Sequence, residues 1–218
     1  MTTVTMSASV SPLVQGFLLY ASIIIAFGPQ NMFVLRQGLR RQHVFATALI
    51  STLADVVLIA LAVGGLSAVI SASGIFQTAV TVVGALFLMW CGVRSLLNAV
   101  RSGASATHTS VQCATIGAQG AVVAALSFSF LNPSAYVDTL VIVGSKSLLF
   151  PVDQRLVFGV GALVASAFWF FALAYGASRL SPIFRTQAAW RALDITSGFI
   201  MIGIAGTMLA AAHIIPMI

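Results

Sequence analysis

The sequence predicts an all-α polytopic membrane protein, one membrane domain over 1–218 with six transmembrane helices in an inverted 3+3 repeat, helices 1 and 4 being broken. Three observations carry this. Of 218 residues, 60% are hydrophobic and 6% charged, with mean hydropathy +1.07. A soluble domain devotes about a quarter of its residues to Asp, Glu, Lys and Arg, so this chain could not cover its surface against water. The apolar residues fall into six runs, at about 12–34, 44–70, 76–98, 116–143, 156–178 and 194–214. Each is close to the roughly 20 residues that cross a bilayer. Finally, short motifs recur between the halves: Gly28-Pro29-Gln30-Asn31 and Asn132-Pro133-Ser134-Ala135, with prolines 104 residues apart, and two glycine pairs, Gly84/Gly92 and Gly198/Gly206, each spaced by eight. Three spans per half is an odd number, so such a repeat must be inverted in the membrane.

Residues 1–11 lack the basic stretch of a signal peptide and lead into a long apolar run, which reads as the first span. Pro29 within it frees a backbone carbonyl one turn earlier, a defect tolerated in lipid only where protein or water satisfies it. The second run carries Asp55, one turn after Ser51 and Thr52. The third ends repeat one, about 12–98, and the Ser-, Ala- and Thr-rich segment 99–115 with His108 reads as a flexible cytoplasmic link. Repeat two, about 116–214, opens with a run broken at Pro133, and Asp138 shares a helical face with Ser134 four residues before it. The fifth run holds Phe168-Trp169-Phe170-Phe171, packing bulk in which Trp169 could wall a cation site through its ring face. Asp194 reads as a first-turn acid of the sixth. Spacings such as Gly203/Gly206 and Gly161/Ala165 suit close helix contact inside one bundle or in a homodimer.

Eight of the ten Lys and Arg residues fall in or beside the odd-numbered connectors, Arg36 counted in the first. By the positive-inside rule those connectors are cytoplasmic and both termini lie outside. The net charge of +6 raises nucleic acid as a partner, but the arginines sit singly or in pairs at the ends of apolar runs, with no basic stripe interleaved with aromatics. Cys91 and Cys113 have neither metal-ligand spacing nor the density of a disulfide framework. No CxxC, HExxH or phosphate-binding loop occurs, and no Ser–His–Asp constellation falls in the spans, so neither an enzyme, a cofactor nor a metal is expected. Asp153, beside Arg155, reads as solvated.

The chemistry is expected where the breaks and the buried acids meet. An interrupted helix presents bare amides to a carboxylate and bare carbonyls to a cation, and an amino acid zwitterion needs both. Gln30 and Asn31 flank one break, and Asn132, Ser134 and Tyr136 the other. Asp55 and Asp138 each cost about 3 kcal/mol near the bilayer centre, so neither would face lipid. With no Lys or Arg in mid-span, their partner is either a proton, because desolvation disfavours the carboxylate, or a cation that comes and goes. A metal fits poorly: hard-ion sites recruit several carboxylates, and His43, His108 and His213 lie in connectors or at the end.

These residues resemble the LysE-type amino acid exporters. The resemblance is carried by Gly28-Pro29-Gln30-Asn31 with Phe33-Val34 and Arg36-Gln37-Gly38, by Asp55, by Leu131-Asn132-Pro133-Ser134-Ala135-Tyr136-Val137-Asp138-Thr139 and by Phe168-Trp169-Phe170, covering nearly the whole chain. Phe27 stands where threonine and homoserine exporters typically carry a first proline, and Gln30 follows, which is similar to the basic amino acid branch. The resemblance implies export of arginine or lysine across a bacterial inner membrane, driven by the proton or charge gradient. It implies that Gln30, Asn31, Asn132 and Tyr136 bind the amino acid end, while Asp55 and Asp138 meet positive groups or a coupling proton. The alternatives are a neutral amino acid or small cation on the same scaffold, and a non-transporting membrane scaffold whose aspartates are structural.

Overall fold

The computed structural model describes residues 11–25, 28–65, 74–101, 118–130 and 132–214. Helix α1 (Pro12–Ile24) begins where the Ser11 hydroxyl accepts from the Val14 amide and Pro12 supplies a preset φ. Helix α2 (Pro29–Arg40) starts at Pro29 after an extended Gly28, at 81° to α1. It ends at Arg41 in the left-handed region, φ 54°, whose amide returns to the Gly38 carbonyl. Helices α3 (Val44–Val63), α4 (Gly74–Arg101) and α5 (Ala118–Phe130) follow. After Asn132 a short α6 (Pro133–Tyr136) runs into a π-helical stretch, Val137–Val143, and then α7 (Gly144–Ser147). Helix α8 (Val152–Leu180), a 3-10 turn (Ile183–Arg185) and α9 (Gln187–Ile214) complete the order, with no strand among the described residues.

Among the described residues, four helices, α3, α4, α8 and α9, are long and apolar enough to cross a membrane, or five spans if the bent α1–α2 pair is one. The fourth apolar run is divided between α5, shorter than a span, and the helical segment after Pro133. Segment 102–117, with His108 and Cys113, lies outside the described residues, as do Phe27 and Leu131.

Helix α8 is the hub, with α1, α2 and α3 packed on it, while α4 and α9 pack along each other. Both assemblies depend on missing side chains. A Cβ on Gly161 of α8 would lie 2.0 Å from the Leu13 carbonyl oxygen of α1, and one on Gly16 of α1 2.0 Å from that of Phe158. In the other pair, a Cβ on Gly92 would lie 3.0 Å from the Gly198 oxygen, and one on Gly198 3.0 Å from the Gly92 oxygen. Such small-residue crossings let van der Waals contact act between helices that gain no hydrophobic drive in lipid. Tyr20, Ile59, Phe158 and Ala162 fill the α1–α3–α8 core, and Val34, Ala48, Phe170 and Ala174 the α2–α3–α8 core. Met32, Phe33, Cys91, Phe128 and Met201 join α2 and α5 to the α4–α9 pair. Val83, Trp90, Val123, Leu156, Phe168 and Phe199 are exposed, as a hydrocarbon-facing perimeter requires.

Two sequence expectations are corrected here. Arg36 is no connector residue, because α2 extends past it to Arg40 and its side chain is largely buried. Asp194 is no first-turn acid: α9 begins at Gln187, so Asp194 lies two turns in, buried and paired with Arg36. The helix ends nonetheless gather the arginine-bearing connectors at one end of the bundle. Arg41 Nε donates to the Ser178 carbonyl at 3.1 Å, and Arg36 reaches Ser95 near the end of α4 and Ser197 of α9.

The crossings are directly testable. Gly161→Ala is expected to destabilise the detergent-solubilised protein by about 1–3 kcal/mol through overpacking. Gly203→Ala, where nothing lies within 4 Å of the new Cβ, is expected to leave the thermal transition unchanged or raise it. Equal shifts for the two would show that the α1–α8 crossing is not tight.

Candidate functional site

The breaks are held open by side chains that reach back across them. At the first, the Asn31 amide Nδ2 donates to the Ile24 carbonyl at the end of α1 at 2.7 Å, and the Trp169 indole Nε1 of α8 donates to Asn31 Oδ1 at 3.1 Å. At the second, the Tyr136 hydroxyl donates to the Phe130 carbonyl at the end of α5 at 2.9 Å. In both, a polar residue just after the proline serves a carbonyl that lipid could not. The breaks also adjoin: a Cβ on Gly28 would stand 3.8 Å from Asn132 Nδ2, and Asn132 is buried.

Asp55 is placed beside the first break by four helices. It sits mid-way along α3, 3% exposed, and its Oδ2 accepts from the Ser166 hydroxyl of α8 at 2.7 Å. Tyr20 of α1 lies against the same carboxyl, as does Gln30 of α2, whose Nε2 stops short of a full hydrogen bond. None of these groups is a cation. From Asp55 a polar line continues along the same face of α3 at four-residue spacing, through Ser51 and Thr47, both fully buried with hydroxyls that have no protein partner. Thr52, by contrast, returns its hydroxyl to the Ala48 carbonyl. Gln37 of α2 is also buried, its Oε1 without a protein partner. Several unpartnered polar atoms inside one apolar bundle are unusual, because each costs about 1–3 kcal/mol when nothing bonds it.

The residues singled out in the sequence therefore separate. Gln30, Asn31, Asp55 and Trp169 come together at the first break, with Asn132 facing them across Gly28 and Tyr136 at the second break. Asn31 and Trp169 bond each other, so the indole N–H braces the break. Helices α2 and α6 begin at Pro29 and Pro133. Asp138 lies on the π-helical stretch, and its side chain, like those of Pro133 and Ser134, is outside what the structure describes. Sequence reasoning missed Ser166, although its signal was present as a serine in the middle of the apolar stretch of α8, and it missed Tyr20. It also missed the Arg36–Asp194 pair, which the sequence alone does not bring together. No group of three or more His, Cys, Asp or Glu that could hold a metal occurs among the described residues.

Broken helices beside a buried polar site recur in membrane transporters, and comparison with known proteins points to that class. The family described as LysE type translocator matches residues 21–212. The chain belongs to this family. It is 38% identical over 191 residues to "Putative amino-acid transporter YggA" of Aeromonas salmonicida, covering 88% of this chain and 92% of that one. It is 40% identical over 192 residues to "Putative amino-acid transporter Mb0498" of Mycobacterium bovis, covering 88% and 94%. No solved structure matches it.

The bracing of the first break has a measurable signature. Asn31→Ala orphans the Ile24 carbonyl and the Trp169 N–H together and is expected to cost about 1–3 kcal/mol of stability. Trp169→Phe is expected to cost less, and the double variant to fall short of the sum by about 0.5 kcal/mol or more. Additive losses in thermal unfolding would show that the two side chains are not coupled.

Proposed function

We propose that this protein is a secondary exporter of basic L-amino acids, arginine or lysine, working by alternating access across a bacterial inner membrane. The observation that supports this reading best is Asp55, a buried carboxyl beside the first helix break, lined by hydroxyl and amide groups with no resident cation among the described residues. A carboxyl so placed is complete only when a proton or a cationic group joins it. Gln30 beside it and Ser51 and Thr47 along α3 supply further bonds that a polar solute could take up. Asn132 and Tyr136, at the second break, are assigned to the amino acid end, and Asp138 to the second positive group or the coupling proton.

The sense of transport follows from energetics. A cell interior is electrically negative, so export of a cation runs uphill by about 2.3 kcal/mol per charge at 100 mV and must be coupled to something, most simply inward protons. On the 3+3 inverted-repeat reading, the arginine-bearing end is cytoplasmic and Asp55 lies near mid-membrane, where such repeats place their sites.

Counterflow tests this. Proteoliposomes preloaded with unlabelled arginine or lysine are expected to accumulate labelled arginine, whereas leucine-loaded or empty vesicles are not. Asp55→Asn is expected to reduce the initial rate by about two orders of magnitude, as loss of a charge-assisted contact worth about 2–3 kcal/mol does. Counterflow with leucine alone would replace the substrate by a neutral amino acid. An unaltered rate in folded Asp55→Asn would make the carboxyl structural.

A further inference from the structure

Two arginines on α2 meet two partners on α9 in register. One Nη of Arg36 lies 3.0 Å from Asp194 Oδ1 and 3.0 Å from the Ser95 hydroxyl of α4, and also donates to the Ser197 hydroxyl of α9. One turn on, the Arg40 guanidinium stands 5.4 Å from the centroid of the Trp190 ring, which in turn meets Phe184 edge-on at 5.9 Å. Arg36 and Arg40 are four residues apart on α2, as Trp190 and Asp194 are on α9, in the opposite order. The result is an antiparallel ladder of two rungs at the arginine-bearing end of the bundle. Nothing in the reading of the Asp55 site requires it.

We propose that this ladder is a latch: closed, as here, it seals the arginine-bearing end, and its release lets the α4–α9 pair move away from α2. Three features favour a latch over a fixed brace. Helices α4 and α9 are joined backbone to backbone at Gly92 and Gly198, while α1, α2 and α3 are gathered on α8, so the polypeptide divides into two bodies with α2 at their border. The Arg36–Asp194 pair is buried, its side chains only 11% and 6% exposed. A buried ion pair adds little to stability over an apolar replacement, yet it is costly to break halfway, which makes it suited to registering one arrangement against another. Beneath it, toward the middle of the membrane, the border is closed by Met32, Phe33, Cys91, Phe128 and Met201, a contact whose flexible methionines can part and repack. The purpose given to the latch, gating of transport, rests on the exporter reading, but its existence does not.

Cys91, 1% exposed within that apolar border, is a native reporter. With Cys113→Ser in place to leave a single thiol, labelling by N-ethylmaleimide is followed by intact mass. The parent is expected to label slowly, and Arg36→Gln/Asp194→Asn, which removes both charges and leaves none stranded, about tenfold faster. Arg40→Ala, which breaks only the outer rung, is expected to give a smaller acceleration and decides the question if the double variant does not fold. Saturating arginine is expected to accelerate labelling in the parent. Unchanged labelling in the folded variants would overturn the latch. Faster labelling in the variants, with no effect of arginine and no counterflow, would leave the latch standing and remove the exporter reading. Arginine counterflow with labelling unchanged throughout would do the reverse.

Discussion

A carbonyl left without its amide inside an apolar bundle needs a protein group to answer it, and the packing of this bundle is tied to where two such carbonyls go. Pro29 and Pro133 each end a helix and begin another. The Ile24 carbonyl is taken by Asn31, which Trp169 holds from α8, and the Phe130 carbonyl is taken by Tyr136. Bracing of the first break from α8 helps explain why that helix is the hub: it carries Gly161 against α1, Ser166 against Asp55 and Trp169 against the break, at successive levels of one helix. A straight, unbroken first span would leave Asn31 and Trp169 without their roles and would not bring Gln30 to Asp55.

The two buried aspartates of known surroundings show how environment sorts like residues. Asp194 has a resident arginine and two serines in reach of that arginine, so its charge is answered inside the fold. Among the described residues, Asp55 is answered by a serine hydroxyl, a tyrosine and a glutamine, none of them a cation. A carboxyl with its own cation can hold elements together, whereas one without a cation is open to an exchanging partner. This contrast is the basis for proposing Asp55 as the partner of the substrate or a coupling proton and Asp194 as part of the joint between bodies.

Close approach, where lipid provides no drive to associate, is left to residues without side chains. Gly16 and Gly161 seat α1 on α8, and Gly92 and Gly198 seat α4 on α9. Gly203 and Gly206 have nothing within 4 Å of where a Cβ would be, so the same residue type is structural in one register and open in another. The sequence spacing of small residues does not distinguish the two. Only the rotation of each helix in the bundle does.

Composition and hydropathy settle the class, because a chain with so few charges can fold only where its perimeter meets hydrocarbon. The prolines and the buried acid on α3 were equally legible: a helix break and a carboxyl in an apolar run are each costly enough in lipid to announce themselves one residue at a time. The partners of those residues were not legible. Ser166 lies 111 residues from Asp55, Trp169 138 from Asn31, and Ser197 161 from Arg36. Periodicity says which face of a helix a side chain occupies but nothing about which helix stands opposite. Arg36 and Asp194 show this most plainly, since each alone reads as an ordinary charge near the end of an apolar run. It took the extension of α2 to Arg40, the early start of α9 at Gln187 and the packing of one against the other to make them a buried pair. Local energetics is written along the chain, whereas pairing between helices is decided by how the bundle packs.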